Sequence, residues 1–401
     1  MTGSRSLRVC HIITRLIVGG AQEAAIYACA YVDRDKFSSV LATGPQTGVE
    51  GDLRGLASRL GAGIIEVPSL VREIAPGRDA CGLRQLRRIL RALRPDIVHT
   101  HSSKAGILGR LAARREGVPV VVHTVHGWSF HDEMTPLSRA VYVRLERRAA
   151  HWTDRIITIS TFHRDKGLGA RVGKPWQYRT IRALNDLSRY SVDRQARSVA
   201  RATLGLPLDS FVVGTVGRLS EQKDPQTWVR SASLIAARAS DARFVMVGDG
   251  DLRGVTERIA AEVGIADRLL LTGLRDDAPQ ILPGFDVLLL TSRWEGLPLV
   301  IPQAMASGVP VVASAVDGNR EVVRDGENGL LAPPSKPEAL ADAVLRLRNP
   351  DLAAKLVAAG HETARDFSLE RTVPQLEELY TECAGEKLGS PSPCGGSPST
   401  R

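Results

Sequence analysis

The feature that most constrains this chain is a repeated alternation. Short apolar runs rich in β-branched residues are separated by longer stretches with helical patterning. In the first half the runs are LRVCHII, SSVLATG, GIIEV, DIVHTH, VPVVVHTV and RIITIS. Between them lie AQEAAIYACAYV, GLRQLRRILRALR and KAGILGRLAARREG. The last of these has the apolar spacing of an amphipathic helix at Ile107, Leu108 and Leu111. The second half restarts the pattern with FVVGTVGRL, ARFVMVGDG, RLLLTG, FDVLLLTS and VPVVASA. Strands that are apolar almost throughout, separated by helices, belong to parallel sheets covered on both faces. A chain of 401 residues exceeds one typical core. The strand pattern lapses from Arg182 to Pro207, so the chain reads as two doubly wound α/β domains facing a central cleft.

Composition removes several function classes. The formal net charge is +9, which points to an anionic partner, but only 4% of residues are aromatic. Readers of nucleic acid interleave basic with aromatic residues, so no nucleic-acid partner is expected. No apolar run approaches the ~20 residues of a membrane span. His11, Thr14 and Arg15 interrupt any signal-peptide core near the N-terminus. The cysteines Cys10, Cys29, Cys81, Cys383 and Cys394 are odd in number, with no Cys-x-x-Cys pair. That pattern fits a reduced, cytoplasmic chain with no disulfide framework.

In doubly wound sheets, ligands sit beyond the carboxyl ends of the strands. Four loops are therefore candidates. TRLIVGGAQEAA places Gly19 and Gly20 just before a helix, where backbone can approach a phosphate or merely turn. HTVHGWSF places His126 at a strand end, either as a donor to a ligand hydroxyl or as a histidine bonded within its loop; His123, inside the strand, reads as structural. GRLSEQKDP places Arg218 and Lys223 beside a helix start, a natural diphosphate clamp. RWEGLPLVIPQAMASGVPVV places Glu295 before a helix expected to begin near Pro298, either as an acceptor for ligand hydroxyls or as a charge favourable to the helix dipole. The GDGD turn with Asp249 and Asp251 looks like a metal element. With no cluster of histidines or cysteines and no third acid nearby, no metal site is expected.

Five segments in order, VGGAQ, TVHG, GRLSEQKD, VGDGDLR…LTGLRDD and EGLPLVIPQAMASGVPVVAS followed by GNREVVRDGENGLL, resemble the retaining glycosyltransferases of family 4. The resemblance runs from about Val9 to Tyr380. It implies a GT-B fold and a metal-independent hexosyl transfer from a nucleotide-sugar, most simply a UDP-sugar, with no cofactor. It implies an N-terminal acceptor-side Rossmann-like domain (1–190) and a C-terminal nucleotide-sugar-binding one (191–370). A helix (371–384) crosses back to the first domain, and the Gly/Ser/Pro-rich tail (385–401) is expected to be disordered. The implied catalytic set is Glu295 and His126 on the sugar hydroxyls, with Arg218 and Lys223 on the diphosphate. The implied donor-binding set is Gly19, Gly20, the Leu274 backbone near the base, Gly296, the amides of Leu297, Leu299 and Val300, and Gln303 at the ribose.

The chain departs from the family at Gln303, where a second Glu is usual, at Pro302 early in the helix, and in RALNDLSRY, where an Asn-Gly turn is common. Gln303 leaves open a non-catalytic nucleotide-sugar-binding module; a phosphorylase or epimerase on the same fold is the other alternative. The acceptor is expected to be a sugar or a lipid-linked glycan. The arginines Arg84, Arg87, Arg88, Arg91 and Arg94 form a basic helical face. That face either meets an anionic membrane surface, making the chain peripheral at the cytoplasmic side, or is simply solvated.

Overall fold

The structure is a computed structural model, and the described residues are 5–46, 51–130, 134–190 and 193–389. Contacts divide the chain into two units. One comprises Met1–Ile159, His163–Leu184 and Thr372–Arg401, and the other Ser160–Phe162 and Asn185–Arg371. The division at Leu184/Asn185 falls six residues before the position expected from sequence.

The first unit runs β1 (Leu7–Ile13), α1 (Gly20–Ala30), β2 (Phe37–Thr43), α2 (Arg54–Arg59), β3 (Gly63–Glu66), α3 (Pro76–Leu93), β4 (Ile97–His101), α4 (Ser103–Arg115), β5 (Val120–Val125), α5 (Pro136–Ala150), β6 (Arg155–Thr158), α6 (Thr161–Gly169) and β7 (Tyr178–Thr180). Its strands pair in parallel in the order β3-β2-β1-β4-β5-β6-β7. Chain progression reverses between β1 and β4, so the loops leaving these two strands part and open a crevice at their carboxyl ends. The three-residue β7 has no apolar run and was not foreseeable from patterning.

The α4 helix differs from its expected face. Ile107, Leu108 and Leu111 are only half-buried, whereas Ala105, Gly106, Gly109, Ala112 and Ala113 are buried. The small residues let the helix lie close to the sheet: a Cβ on Gly109 would stand 2.7 Å from Thr100 Cγ2. Arg110, on the same face, is fully buried and donates to Glu146 Oε2 at 2.7 Å, joining α4 to α5. A paired, hydrogen-bonded ion is the form in which a buried charge is tolerated.

The second unit runs α7 (Arg194–Thr203), β8 (Phe211–Val216), α8 (Pro225–Ala236), β9 (Ala242–Val247), α9 (Arg253–Glu262), β10 (Leu269–Gly273), α10 (Ala278–Ile281), β11 (Val287–Leu290), α11 (Val300–Ala306), β12 (Val311–Ser314), α12 (Asp317–Arg320), β13 (Leu330–Ala332), α13 (Pro337–Arg346) and α14 (Pro350–Arg365). The strand order is β10-β9-β8-β11-β12-β13, again parallel, with the reversal between β8 and β11. Its core is built around Trp228, whose indole donates to the Leu289 carbonyl at 3.0 Å. The last helix, α15 (Leu369–Leu388), belongs to the first unit from Thr372 onward; there Asp33 N donates to Glu377 at 2.7 Å. Residues 385–388, expected to be disordered, continue this helix, while 390–401 lie outside the described residues.

One substitution should have opposite effects at two glycines. In β8, a Cβ on Gly214 would stand 2.2 Å from the buried ring of Phe285, whereas nothing lies within 4 Å of a Cβ on Gly77 in α3. We expect Gly214→Ala to destabilise by about 1–3 kcal/mol through overpacking. Gly77→Ala should stabilise by about 0.4–1 kcal/mol by restricting the unfolded chain. Urea denaturation of both variants reads the signs directly.

Candidate active site

In the second unit, the loops after β8 and β11 meet at the reversal point. Glu295, five residues past β11, is 8% exposed. Its Oε1 accepts from Lys223 Nζ, and from Ser292 Oγ at 2.6 Å. Its Oε2 accepts from Gln222 Nε2 at 3.3 Å. A carboxylate has about four lone-pair sites, so a direction on Oε2 remains for a ligand. Lys223 comes from the loop after β8, which is fixed to the β11 loop. Thr291 Oγ1 donates to the carbonyls of Lys223 and Asp224, both at 3.0 Å, and Arg293 N donates to Gln222 O at 2.8 Å. Asp224 then caps α8, accepting from Thr227 N at 3.2 Å. Arg218 lies on the same loop and is exposed.

The GDGD turn supports this loop from behind. A Cβ on Gly248 would stand 2.1 Å from Gly217 O, and one on Gly250 2.4 Å from Leu219 O. Gly248 also has φ +134, a conformation that favours glycine. Asp249 is used locally, accepting from Gly250 N at 2.8 Å and lying 3.5 Å from Arg253. Gly248 N bonds to Gly273 O at 2.9 Å, which ties the turn to Leu274, 49% exposed at the end of β10. On the other side, Gly318 of α12 backs the acid itself. A Cβ there would be 2.7 Å from Glu295 O and 2.6 Å from Gly296 O.

Leu297, Leu299 and Val300 are buried, and α11 begins at Val300 rather than near Pro298. Pro302 is therefore its third residue, within the turn whose N–H groups have no helical partner. Gln303 is already engaged: its Nε2 donates to Asn185 Oδ1 at 3.3 Å, and Asn185 Nδ2 donates to Leu299 O at 3.4 Å. Asn185 falls within RALNDLSRY, the segment that departs from the family pattern, so the two departures meet in space.

Gln222, Ser292, Asn185 and Gly318 were missed from sequence. Gln222 and Ser292 stand one and three residues from the assigned Lys223 and Glu295, and their polar character was a usable signal. Asn185 and Gly318 act through tertiary approach, which no local pattern reveals.

In the first unit, Gly19 is the N-cap of α1 and Gly20 its first residue. His126 follows β5 and is part-buried. It does not stand alone. The expectation of no histidine cluster is corrected: His11, His99 and His101 place ligand-type atoms within 4.8 Å of one another. They come from β1 and β4, with His11 and His101 ninety positions apart, so spacing could not show it. His11 Nδ1 lies 3.2 Å from His101 Nε2, and His101 Nδ1 lies 3.1 Å from His126 Nε2. His99 bonds to Tyr380 Oη at 2.5 Å and to Thr124 Oγ1 at 2.6 Å. His123 is tied to Thr100 Oγ1 at 2.9 Å.

Burial holds all five rings below the ordinary histidine range. A neutral ring has one N–H, so the His11–His101–His126 chain donates in one direction throughout. His11 Nε2 is buried without a partner. A buried lone pair is better left unpaired than a buried N–H, so His11 donates from Nδ1 to His101, and His101 donates from Nδ1 to His126. His126 Nε2 is thereby the acceptor, and its proton sits on Nδ1.

Acid should undo this arrangement. Unfolded histidine protonates near 6.5, but desolvation holds His11 down to about 3 and His126 to about 4. Between these values only the unfolded chain takes up the protons. The contribution is complete above pH 6.5 and is lost as pH falls. At pH 5 each of the two would cost about 2 kcal/mol, with His99, His101 and His123 acting in the same direction. Melting followed from pH 7.5 to pH 5 should show a steep fall, reduced in His11→Phe; a flat profile would contradict the neutral cluster.

Family models match a segment in each half of the chain. Residues 210–349 match the family described as Glycosyl transferases group 1, and residues 19–183 match the Glycosyl transferase 4-like domain. The chain is 34% identical, over 80% of its length and 84% of the relative's, to the Escherichia coli UDP-Gal:alpha-D-GlcNAc-diphosphoundecaprenol alpha-1,3-galactosyltransferase. It is 30% identical, over 79% of its length and 70% of the relative's, to the D-inositol 3-phosphate glycosyltransferase of Salinispora tropica. Among solved structures, Anabaena Alr3699/HepE in complex with UDP and glucose superposes with a TM-score of 0.82 at 21% identity, covering 94% of this chain and 99% of that one. With its two parallel, doubly wound sheets, the chain has the GT-B fold and belongs to the glycosyl transferase group 1 family.

Proposed function

We propose that the chain transfers a hexosyl group from a UDP-sugar to a lipid-linked glycan acceptor, with retention of configuration and without a metal ion. The observation that carries this reading is Glu295, held nearly out of water by Lys223, Ser292 and Gln222 at the reversal point of the second sheet. The uridine nucleotide is supported by two relatives: one named for UDP-Gal, the other solved with UDP and with UDP-glucose. The lipid-linked acceptor is supported by the diphosphoundecaprenol in the E. coli relative's name.

The residues then take these roles. Glu295 accepts from sugar hydroxyls through Oε2. Lys223 moves from Glu295 toward the diphosphate as the leaving group gains charge, joined by Arg218 and by the amides of Leu297, Leu299 and Val300. Leu274 borders the base, and Gln303 offers its carbonyl to the ribose while its amide stays on Asn185. Gly19 and Gly20 give backbone access to the donor, and His126 donates from Nδ1 to a sugar hydroxyl. The bond from the anomeric carbon to the diphosphate oxygen breaks, and the acceptor oxygen bonds to that carbon on the same face. The acceptor proton goes to the departing phosphate oxygen, so no protein nucleophile is needed; positioning supplies much of the rate.

Glu295→Ala and Lys223→Ala should each lower transfer from UDP-hexoses by about 100-fold or more, the scale of lost electrostatic stabilisation. Both variants should keep folded far-ultraviolet dichroism. Mass spectrometry of product in the presence of EDTA measures the loss, and full rate in both variants would remove the site assignment. Gln303→Glu replaces a donor facing Asn185 with a carboxylate. Its donor KM should change several-fold while kcat stays within about twofold, the sign of altered ground-state binding. Steady-state kinetics with varied donor separates the two; a large change in kcat would mean Gln303 acts in the chemistry.

A further inference from the structure

The α5 helix presents an outward face that its own unit leaves uncovered. Leu137, Val141 and Leu145 are 78%, 50% and 42% exposed. They recur every fourth residue, so at about 100° per residue they lie on one stripe. Arg144 and Arg148 fall on the same arc, and Arg147 lies to one side of it; all three are exposed. The only acid of the helix, Glu146, points inward to Arg110 at 2.7 Å. The outward side of α5 therefore carries arginines and large aliphatic residues and no acid. Asp132 and Glu133, just upstream, lie outside the described residues.

We infer that this face of α5 docks on an anionic phospholipid bilayer. Apolar side chains interleaved with arginines on one helical stripe match an interfacial helix, in which the aliphatic groups enter the headgroup boundary and the guanidinium groups meet phosphates. A second copy of the chain fits less well. Like charges would face each other, and three partly exposed side chains offer a few hundred Å², against roughly 800 Å² per partner in a stable dimer. The basic face of α3, the alternative from sequence, lacks the apolar element. None of its large hydrophobic residues is exposed, and Arg87 and Arg91 converge on Glu116 at 2.6 and 3.0 Å. The inference rests on the lipid-linked acceptor proposed above, since that acceptor would be presented at a bilayer surface.

The full chain should co-sediment with vesicles of phosphatidylglycerol and phosphatidylcholine at low salt, and not with pure phosphatidylcholine. Two variants test the face separately: Leu137→Ser/Val141→Ser/Leu145→Ser and Arg144→Glu/Arg148→Glu. Each should lose about tenfold or more of the vesicle binding, because each removes one of the two attractions. Arg84→Glu/Arg88→Glu on α3 should retain most of it. Melting temperatures and UDP-hexose hydrolysis, measured without vesicles, should be unchanged in the α5 variants. Wild-type sedimentation in both α5 variants would overturn the inference, as would absence of vesicle binding by a wild-type chain that hydrolyses UDP-hexose. Concentration-dependent self-association abolished by the serine variant would replace the bilayer by a second copy. Absence of hydrolysis in the wild type would instead count against the transferase reading.

Discussion

A carboxylate that is almost out of water is the constraint around which the second unit is organised. Burying Glu295 would cost several kcal/mol without partners. Three donors, Lys223, Ser292 and Gln222, offset that cost, and each comes from a strand-end loop at the reversal of the sheet. The parallel strands β8 and β11 bring these loops together because both end on the same edge. The ion pair is also a store of charge. Under the proposed function, a diphosphate arriving at the loop would offer Lys223 a doubly charged partner and free Glu295 for hydroxyls, so that one pair would serve both halves of a nucleotide-sugar.

The loops hold their positions through close backbone approach. Gly248 and Gly250 sit against the carbonyls of Gly217 and Leu219, and Gly318 sits against those of Glu295 and Gly296. Any side chain at these three positions would push the Arg218–Lys223 loop or the Glu295 turn out of place. The acidic GDGD turn is thus a buttress: its glycines do the packing, and Asp249 serves its own turn and Arg253. In the first unit the same role is played by side chains. A chain of neutral histidines from β1 and β4 reaches His126 and fixes which of its nitrogens carries the proton.

Much of this was legible in the sequence. The two parallel sheets followed from apolar runs alternating with helices, and Glu295 with Lys223 from their places after such runs. What stayed hidden had a common physical cause. β7 and β13 are three residues each, too short to show a period. The buried face of α4 is made of alanine and glycine, which hydropathy patterning underrates beside Ile107, Leu108 and Leu111. The histidine cluster joins residues 90 positions apart, and Asn185 meets Gln303 across 118. Only the folded register of the strands brings such residues together.

The central claim is that the reversal point of the second sheet binds a uridine diphosphate through Lys223 rather than through a metal. Calorimetric titration of UDP into the chain in EDTA, beside Lys223→Met, tests it most directly. The account predicts saturable binding in EDTA, weakened about tenfold or more in Lys223→Met, as expected when a charged hydrogen-bond partner is removed. Binding that appears only with added magnesium, or that is equal in the two proteins, would contradict it.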